Sequence, residues 1–231
     1  MDPNEPLVVQ TITAPPGAGF SPDTPFMITG STVASLGKQA VILDARALPS
    51  CTLIQVDNID FIAVVGAVRI IGGAGQNIAS GDSAAQWIVL GTAGDVIHGG
   101  GGNDVVASKG GADRLYGDDG NDVIVGGIGD DILDGGAGND VLRGGGVIGW
   151  GNQAYDGSGE GDTYVFGRGD GSDTIIEDSW QQGDTDRIEF KAGISPDDVR
   201  LERVRTVNGW QVSDDLKLTL RDTGETLTIK N

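Results

Sequence analysis

Six aspartates recur at a constant interval of nine residues: Asp95, Asp104, Asp113, Asp122, Asp131 and Asp140. Two residues after each stands an apolar side chain, in turn Ile97, Val106, Leu115, Ile124, Leu133 and Leu142. Helices repeat their faces every 3.6 residues and strands every 2. A period of nine fits neither, and it marks units that cannot bury their one apolar residue alone and must stack. Glycine holds most of the first, second and fourth positions of these units, which permits a tight turn with left-handed backbone before three extended residues. If two units make one coil, units i and i+2 lie on the same side, with rungs ~4.8 Å apart. The carboxylates then form two columns, one of Asp95, Asp113 and Asp131 and one of Asp104, Asp122 and Asp140.

Such columns oppose folding. Two carboxylates at that spacing repel by roughly 1 kcal/mol in water and by about 3–4 kcal/mol at an effective dielectric near 20. A divalent cation between each pair reverses the sign. Carboxylate and main-chain oxygens are hard ligands that suit calcium, and the chain has no cysteine or histidine cluster to favour zinc. One buried apolar residue per nine offsets only part of the entropy lost on ordering the unit, so the ion is expected to be a folding partner. A flexible glycine linker would need neither a fixed Asp nor an apolar residue in phase with it.

The clearest units are Gly117-Asp-Asp-Gly-Asn-Asp-Val-Ile-Val125, Gly126-Gly-Ile-Gly-Asp-Asp-Ile-Leu-Asp134 and Gly135-Gly-Ala-Gly-Asn-Asp-Val-Leu-Arg143. They resemble the G-G-x-G-x-D-x-U-x nonapeptide of the repeats-in-toxin (RTX, haemolysin-type) family, over about residues 90–146. The resemblance implies a parallel β-roll in which each calcium ion sits between the turns of units i and i+2. Each ion would take one carboxylate from either unit, pairing Asp95 with Asp113, Asp104 with Asp122, Asp113 with Asp131 and Asp122 with Asp140, about four full sites. Main-chain oxygens would come from the turn glycines: Gly91, Gly99, Gly100, Gly102, Gly111, Gly117, Gly120, Gly126, Gly127, Gly129, Gly135, Gly136 and Gly138. Departures fall at Lys109 and Asp118, in the second-glycine position, and at Leu90 and Ser108, in the first. The 108–113 turn departs most, because Lys109 brings a cation close to two of the sites.

The fold class expected is all-β, a parallel β-roll with β-rich caps at both ends. Residues 1–24, rich in Pro, Gly and Thr, are expected to form an extended arm or linker. Apolar, β-branched runs at Phe26–Thr29, Ala40–Leu43, Cys51–Val56, Phe61–Val65 and Val68–Ile71 are expected as strands. The nine-residue register continues backwards with Asn77 and Gln86 at the aspartate position, and with Phe61, Ile70 and Ile88 in the apolar column. Residues 25–89 are therefore expected as a calcium-poor β-helical extension that covers the open end of residues 90–146. Residues 147–231 are expected as a C-terminal β-rich cap. Within it, Asp162 with Tyr164 and Asp173 with Ile175 keep the Asp-x-apolar pair at an irregular interval. The stretch from Asp162 to Ile175 is similar to the region that follows the repeats in haemolysin-type proteins. Ser195-Pro-Asp-Asp predicts an N-capped helical turn, and Asp222-Thr-Gly-Glu predicts the bend of a closing hairpin. Trp180 and Trp210 offer bulk to cover the last rung. Outward positions of the even units, among them Val105, Val123 and Val125, form an apolar patch expected to be covered by the C-terminal segment or a partner. The odd face, with His98, Arg114 and Tyr116, is expected to meet solvent.

The chain has 231 residues, 40 of them glycine, and a formal net charge of −19. That acidity argues against nucleic acid and anionic membranes as partners. No apolar stretch is long enough for a transmembrane helix, and the first residues lack the pattern of a secretory leader. The lone Cys51 permits no internal disulfide and reads as a small buried hydrophobe. Family resemblance implies one-step export by a C-terminal signal (type I secretion) and folding outside the cell. The strand-like end, Thr226-Leu-Thr-Ile-Lys-Asn231, is unlike such a signal, so the chain is expected to be a piece of a longer protein or to end before its signal. No catalyst is expected. His98 is the single histidine, the nearest approach to a nucleophile elbow is Gly81-Asp-Ser-Ala-Ala, and the run Gly99–Gly102 lacks the Lys of a phosphate loop. The function expected is a calcium-binding β-roll module of a secreted bacterial protein. The alternatives are an ancillary, substrate-contacting module of an extracellular polysaccharide-modifying enzyme and an adhesion or surface-layer module. Arg114 and Tyr116 are the candidates for polysaccharide contact.

Overall fold

The computed structural model describes residues 7–13, 25–30, 38–50, 52–73, 75–146, 161–177, 185–208 and 211–230. Strands are numbered in chain order. Odd-numbered strands make one sheet: β1 (Leu7–Thr13), β3 (Lys38–Asp44), β5 (Phe61–Val65), β7 (Ile78–Ser80), β9 (Val96–Gly101), β11 (Arg114–Asp119), β13 (Ile132–Asp134), β15 (Thr163–Phe166) and β17 (Arg187–Phe190), each hydrogen-bonded in parallel to the next. Even-numbered strands make the other: β2 (Phe26–Thr29), β4 (Leu53–Asp57), β6 (Arg69–Gly72), β8 (Trp87–Val89), β10 (Val105–Ala107), β12 (Val123–Val125), β14 (Val141–Arg143) and β16 (Ser172–Ile176). The chain passes from one sheet to the other after every strand, and two strands complete a coil. This is the expected all-β parallel roll.

The coil length follows from the repeat. In the odd sheet Ile97 stacks on Leu115 and Leu115 on Leu133. In the even sheet Val106 stacks on Ile124 and Ile124 on Leu142. All six side chains are fully buried, so the one apolar position of each unit is its inward position. Asp faces the turn and the residues on either side of the apolar one face outward, as the alternation along a strand requires. The core is thicker toward the N-terminus, where each rung turns two apolar residues inward: Val41 and Leu43, Ile54 and Val56, Ile62 and Val64. Tyr164 and Phe166 add aromatic bulk at the other end.

Several expectations change in detail. Residues 7–13 lie within the expected arm 1–24, yet they form β1, paired along its whole length with β3. The β-branched run Val8, Val9, Thr11, Ile12, Thr13 explains that pairing. Phe61 does not continue the apolar column. It pairs with Ile78, which faces outward, while Ile62 pairs with Ala79 beneath Ile97. The interval from Ile62 to Ala79 is 17 residues and from Ala79 to Ile97 is 18; that one-residue difference moves the inward position from Phe61 to Ile62. Ile70 and Ile88 do stand in their column.

The C-terminal segment ends the roll by adding strands to the even sheet. β20 (Thr226–Lys230) pairs in parallel with β16, and β19 (Gln211–Leu220) and β18 (Val199–Asn208) follow in antiparallel order. β19 and β20 are the hairpin expected around Asp222-Thr-Gly-Glu. Ser195 caps a 3-10 turn at Pro196–Asp198, its backbone N–H and hydroxyl both donating to Asp198 Oδ2 at 2.8 and 2.9 Å. These strands extend the even sheet in its plane rather than lying across its outer face, which corrects the expectation that they cover it. That face divides lengthwise instead. Val89, Ala107 and Val125 are buried with Trp87 packed against them, whereas Val123 is 38% exposed. Cys51, Trp180 and Trp210 lie outside the described residues.

Candidate metal centre

The six repeat aspartates are all buried at the turns, no more than 2% exposed. They form two ladders, one along either edge of the roll. In each, the backbone N–H of one Asp donates to Oδ1 of the Asp one coil later. Along one edge the distances are 2.5 Å from Asp95 to Asp113 and 2.8 Å from Asp113 to Asp131. Along the other they are 2.7 Å from Asp104 to Asp122 and 2.8 Å from Asp122 to Asp140. The i/i+2 pairing expected from the spacing is therefore the pairing the roll makes.

One oxygen of each carboxylate is thus used by the backbone. The other is the chemically open one. Oδ2 of Asp95, Asp104, Asp113, Asp122 and Asp140 is buried and has no hydrogen-bond donor. A buried anionic oxygen without a donor costs free energy that only a cation or a proton can offset. The proton's claim is visible in the pKa values. Burial, above all, pushes Asp95 and Asp104 up to about 6 and Asp122 up to about 7, with neighbouring aspartates adding to it and the backbone N–H opposing it. Asp113 and Asp140 are raised for the same leading reason.

Glycines shape the space around the open oxygen in two ways. Gly100, Gly102, Gly111, Gly120, Gly127, Gly129, Gly136 and Gly138 all have φ between 87° and 154°, the region that side chains disfavour. Asp118, at a second-glycine position, adopts φ 70° and reaches His98 Nδ1 at 3.1 Å. The first glycines have a different task. A methyl group on Gly99 would lie 2.7 Å from both Asp104 Oδ2 and the Gly117 carbonyl oxygen. Gly117 faces Asp122 Oδ2 and the Gly135 carbonyl in the same manner, Gly126 faces Asp131 and the Gly144 carbonyl, and Gly135 faces Asp140. Each such cradle thus brings a carboxylate oxygen toward a glycine whose missing side chain leaves it open. Gly99, Gly117 and Gly126 add a carbonyl from the next coil. All donors are hard oxygens, and the residues fit calcium. Among the described residues no group of three or more Asp, Glu, His or Cys converges, so each ion would need main-chain oxygens to complete its shell.

Gly91 does not belong to such a cradle. Leu90 and Ser108 stand where the first glycine should be, both buried. The Gly91 carbonyl accepts hydrogen bonds from Ser108 Oγ at 3.2 Å and from the Lys109 N–H at 3.0 Å. The pair Asp95 and Asp113 therefore shares the ladder but lacks the glycine-lined space. The edge carrying Asp104, Asp122 and Asp140 is the more regular.

Toward the N-terminus the ladder continues with amides. Asn77 donates its backbone N–H to Asp95 Oδ1 at 2.7 Å, and its side-chain Nδ2 donates to the Ile59 carbonyl at 2.5 Å. Gln86 donates its N–H to Asp104 Oδ1 at 2.7 Å and Nε2 to the Gly66 carbonyl at 3.4 Å. An amide NH2 brings to the turn oxygens the positive hydrogens that a cation would otherwise supply.

Toward the C-terminus both columns outrun the nine-residue spacing. The Asp131 N–H donates to Asp162 Oδ1, the Asp140 N–H to Asp173 Oδ1 and the Asp162 N–H to Asp186 Oδ1, each at 2.9 Å. These three were not among the expected site residues. The signal that finds them is the Asp-x-apolar pair alone, Asp162 with Tyr164, Asp173 with Ile175 and Asp186 with Ile188. His98, the one residue that invited a catalytic reading, lies on the odd outer face. It stacks on Tyr116 with ring centroids 4.4 Å apart.

No curated protein matches the chain. No helix of the described residues is long and apolar enough to cross a membrane. The model of the RTX calcium-binding nonapeptide repeat does match, with four copies over residues 80–115 and 116–147. With its two-unit coil, its glycine turns and its stacked carboxylates, the segment from residue 80 to residue 147 belongs to the RTX calcium-binding repeat family, a calcium-binding β-roll module.

Proposed function

We propose that this chain is the calcium-responsive folding module of a secreted protein, and that it works by binding rather than catalysis. The observation that carries the proposal is the row of buried Oδ2 atoms, without donors, each against a first glycine or, at Asp95 and Asp113, in the same ladder. Where calcium is scarce, as in cytosol, the columns repel and residues 90–146 stay unfolded, which suits export of an extended chain. Where calcium is millimolar, the ions neutralise the columns and the roll closes. Four ions follow from the pairs Asp95/Asp113, Asp104/Asp122, Asp113/Asp131 and Asp122/Asp140. The first pair is the weakest, for want of the glycine cradle. The Ca2+ ion supplies only charge neutralisation and coordination; the residues position it and exclude water.

Circular dichroism during a calcium titration of the full chain tests this. Starting in chelator, β structure should rise cooperatively as free calcium reaches the millimolar range, and isothermal titration should count about four ions. An identical spectrum and melting temperature with and without calcium would rule the proposal out.

A further inference from the structure

The Asp104–Asp122–Asp140 column has a fourth carboxylate that the nonapeptide repeats do not contain. Asp173 follows Asp140 in space, although 33 residues separate them in the chain. The register is continuous there: Leu142 pairs with Ile175, and the Thr174 N–H donates to the Asp140 carbonyl at 2.8 Å. Gly171 takes φ 92° and stacks its backbone on Gly138. So the 167–173 turn lies on the 135–140 turn much as repeat turns lie on one another.

Both carboxylates are buried, Asp140 at 1% and Asp173 at 2% exposure. Asp140 Oδ2 has no hydrogen-bond donor and faces Gly135. The Asp140 N–H donates to Asp173 Oδ1 at 2.9 Å, which makes the two carboxyl groups successive members of one column. Neighbouring acids are already compensated. The Lys191 ammonium bridges Asp134 and Asp170 at 2.9 Å to each, and the Gly167 N–H donates to Asp170 at 2.7 Å. Among the described residues no such ion pair reaches Asp140 or Asp173. Two buried carboxylates one rung apart in such a column repel, and a cation between them reverses the sign. The column they extend is one of oxygen ligands suited to a hard divalent ion.

We infer that the 135–140 and 167–173 turns enclose a further calcium-class cation site held by Asp140 and Asp173, outside the nonapeptide repeats. It rests on the reading that the repeats themselves bind calcium. Its consequence is mechanical. β16 carries Asp173 and is the strand on which β20, β19 and β18 assemble. An ion at this site clips the C-terminal segment to the roll, so that docking of the last strands responds to calcium as the repeats do.

The test uses the full chain and Asp173→Asn, whose side-chain oxygen can still accept the Asp140 N–H. Calcium stoichiometry is read by isothermal titration, and hydrogen exchange is followed at residues 167–177 and 211–230. Asp122→Asn serves as the control within the repeats. Asp173→Asn should bind one ion fewer than wild type, and exchange at 167–177 should become insensitive to calcium while residues 96–125 still respond. If Asp122→Asn loses ions and Asp173→Asn retains the wild-type number, the site does not exist and the repeats' own binding stands. If wild type binds no calcium, both readings fall together. Should Asp173→Asn not fold, wild type alone decides. Protection of 167–177 must rise with the calcium midpoint of the repeats, and protection independent of calcium overturns the inference.

Discussion

Replacing Asp122 by Asn should change the stability of the roll in opposite directions with and without calcium. Asp122 is 1% exposed, and its Oδ2 lacks a donor. Burial raises its pKa from 3.8 to about 7, with Asp140 and Asp104 contributing. A carboxyl whose folded pKa exceeds its unfolded one holds more protons when folded. Stability is therefore full below the unfolded value and falls as pH rises through the folded one. The window here runs from about pH 4 to about pH 7. A tenfold change in proton affinity corresponds to about 1.4 kcal/mol, so at pH 8 the ionised carboxylate costs the metal-free roll on the order of 4 kcal/mol at most. Asn carries no such cost. It keeps an oxygen for the Asp104 N–H and gains an NH2 for the carbonyls of the turn, as Asn77 already does with Ile59. In chelator at pH 8, Asp122→Asn should shift the folding equilibrium of residues 90–146 toward the roll by about 2–4 kcal/mol, read as β structure regained in circular dichroism, and at pH 4 it should make little difference. In millimolar calcium the same variant should be the less stable one and should bind fewer ions. If Asp122→Asn destabilises the metal-free chain at pH 8, the buried carboxylate is satisfied by its hydrogen bonds alone and the argument for a missing cation fails.

Four further outcomes follow from the same geometry. Calcium affinity measured by titration should rise from pH 5 to pH 8, because the proton competes at Asp95, Asp104 and Asp122, whose values lie at about 6 to about 7; a flat profile would contradict that competition. Asp122→Ala, which serves two pairs, should cost more ions and a larger drop in melting temperature than Asp95→Ala, measured by calorimetry. Gly117→Ala would press a methyl group on Asp122 Oδ2 and the Gly135 carbonyl, and should remove calcium binding at that turn. Gly110→Ala meets nothing closer than 3.2 Å and should bind normally. Arg168→Ala should leave the ion count unchanged yet speed proteolysis of the last strands, since Arg168 joins Asp222, Asp198 and the Gly193 carbonyl.

Most of the central fold was legible because one period encodes three things together. Asp, glycine and the apolar residue keep one phase from Asp95 to Leu142, and the stacking of Ile97 on Leu115 follows from nothing more. Legibility ended where the period did. Phe61 and Ile62 are both apolar, and only the strand pairing shows which faces the core. β1 was not legible because a short β-branched run among Pro and Gly carries no sign of its partner, β3. Asp162 and Asp173 stand in the sequence as isolated Asp-x-apolar pairs. Their place in the columns depends on chain closure across 31 and 33 residues, which spacing cannot report. The occluded turn at Leu90 and Ser108 was half legible. The departure from glycine stood in the sequence, but the hydrogen bond from Ser108 Oγ to the Gly91 carbonyl did not.

Dependence on calcium should be graded along the axis of the roll, and two independent features run the same way. At the N-terminal end the inward positions come in apolar pairs such as Ile54 with Val56 and Ile62 with Val64. Those two rungs have Thr52 and Asp60 at the turn position, and the amides Asn77 and Gln86 come later, ahead of Ala79 and Ile88, with NH2 groups that meet the carbonyls of Ile59 and Gly66. In the middle the core thins to one residue per rung, and the turn positions become carboxylates with open oxygens. A rung can thus be closed without an ion by an amide, which brings its own positive hydrogens, whereas a rung closed by a buried carboxylate with an open oxygen calls for a cation. The N-terminal rungs thus offer a folded template, already in register at β7 and β8, against which the calcium-dependent rungs can add one at a time. Template and repeats share sheets without interruption, so the cost of nucleating the roll is met before any ion binds.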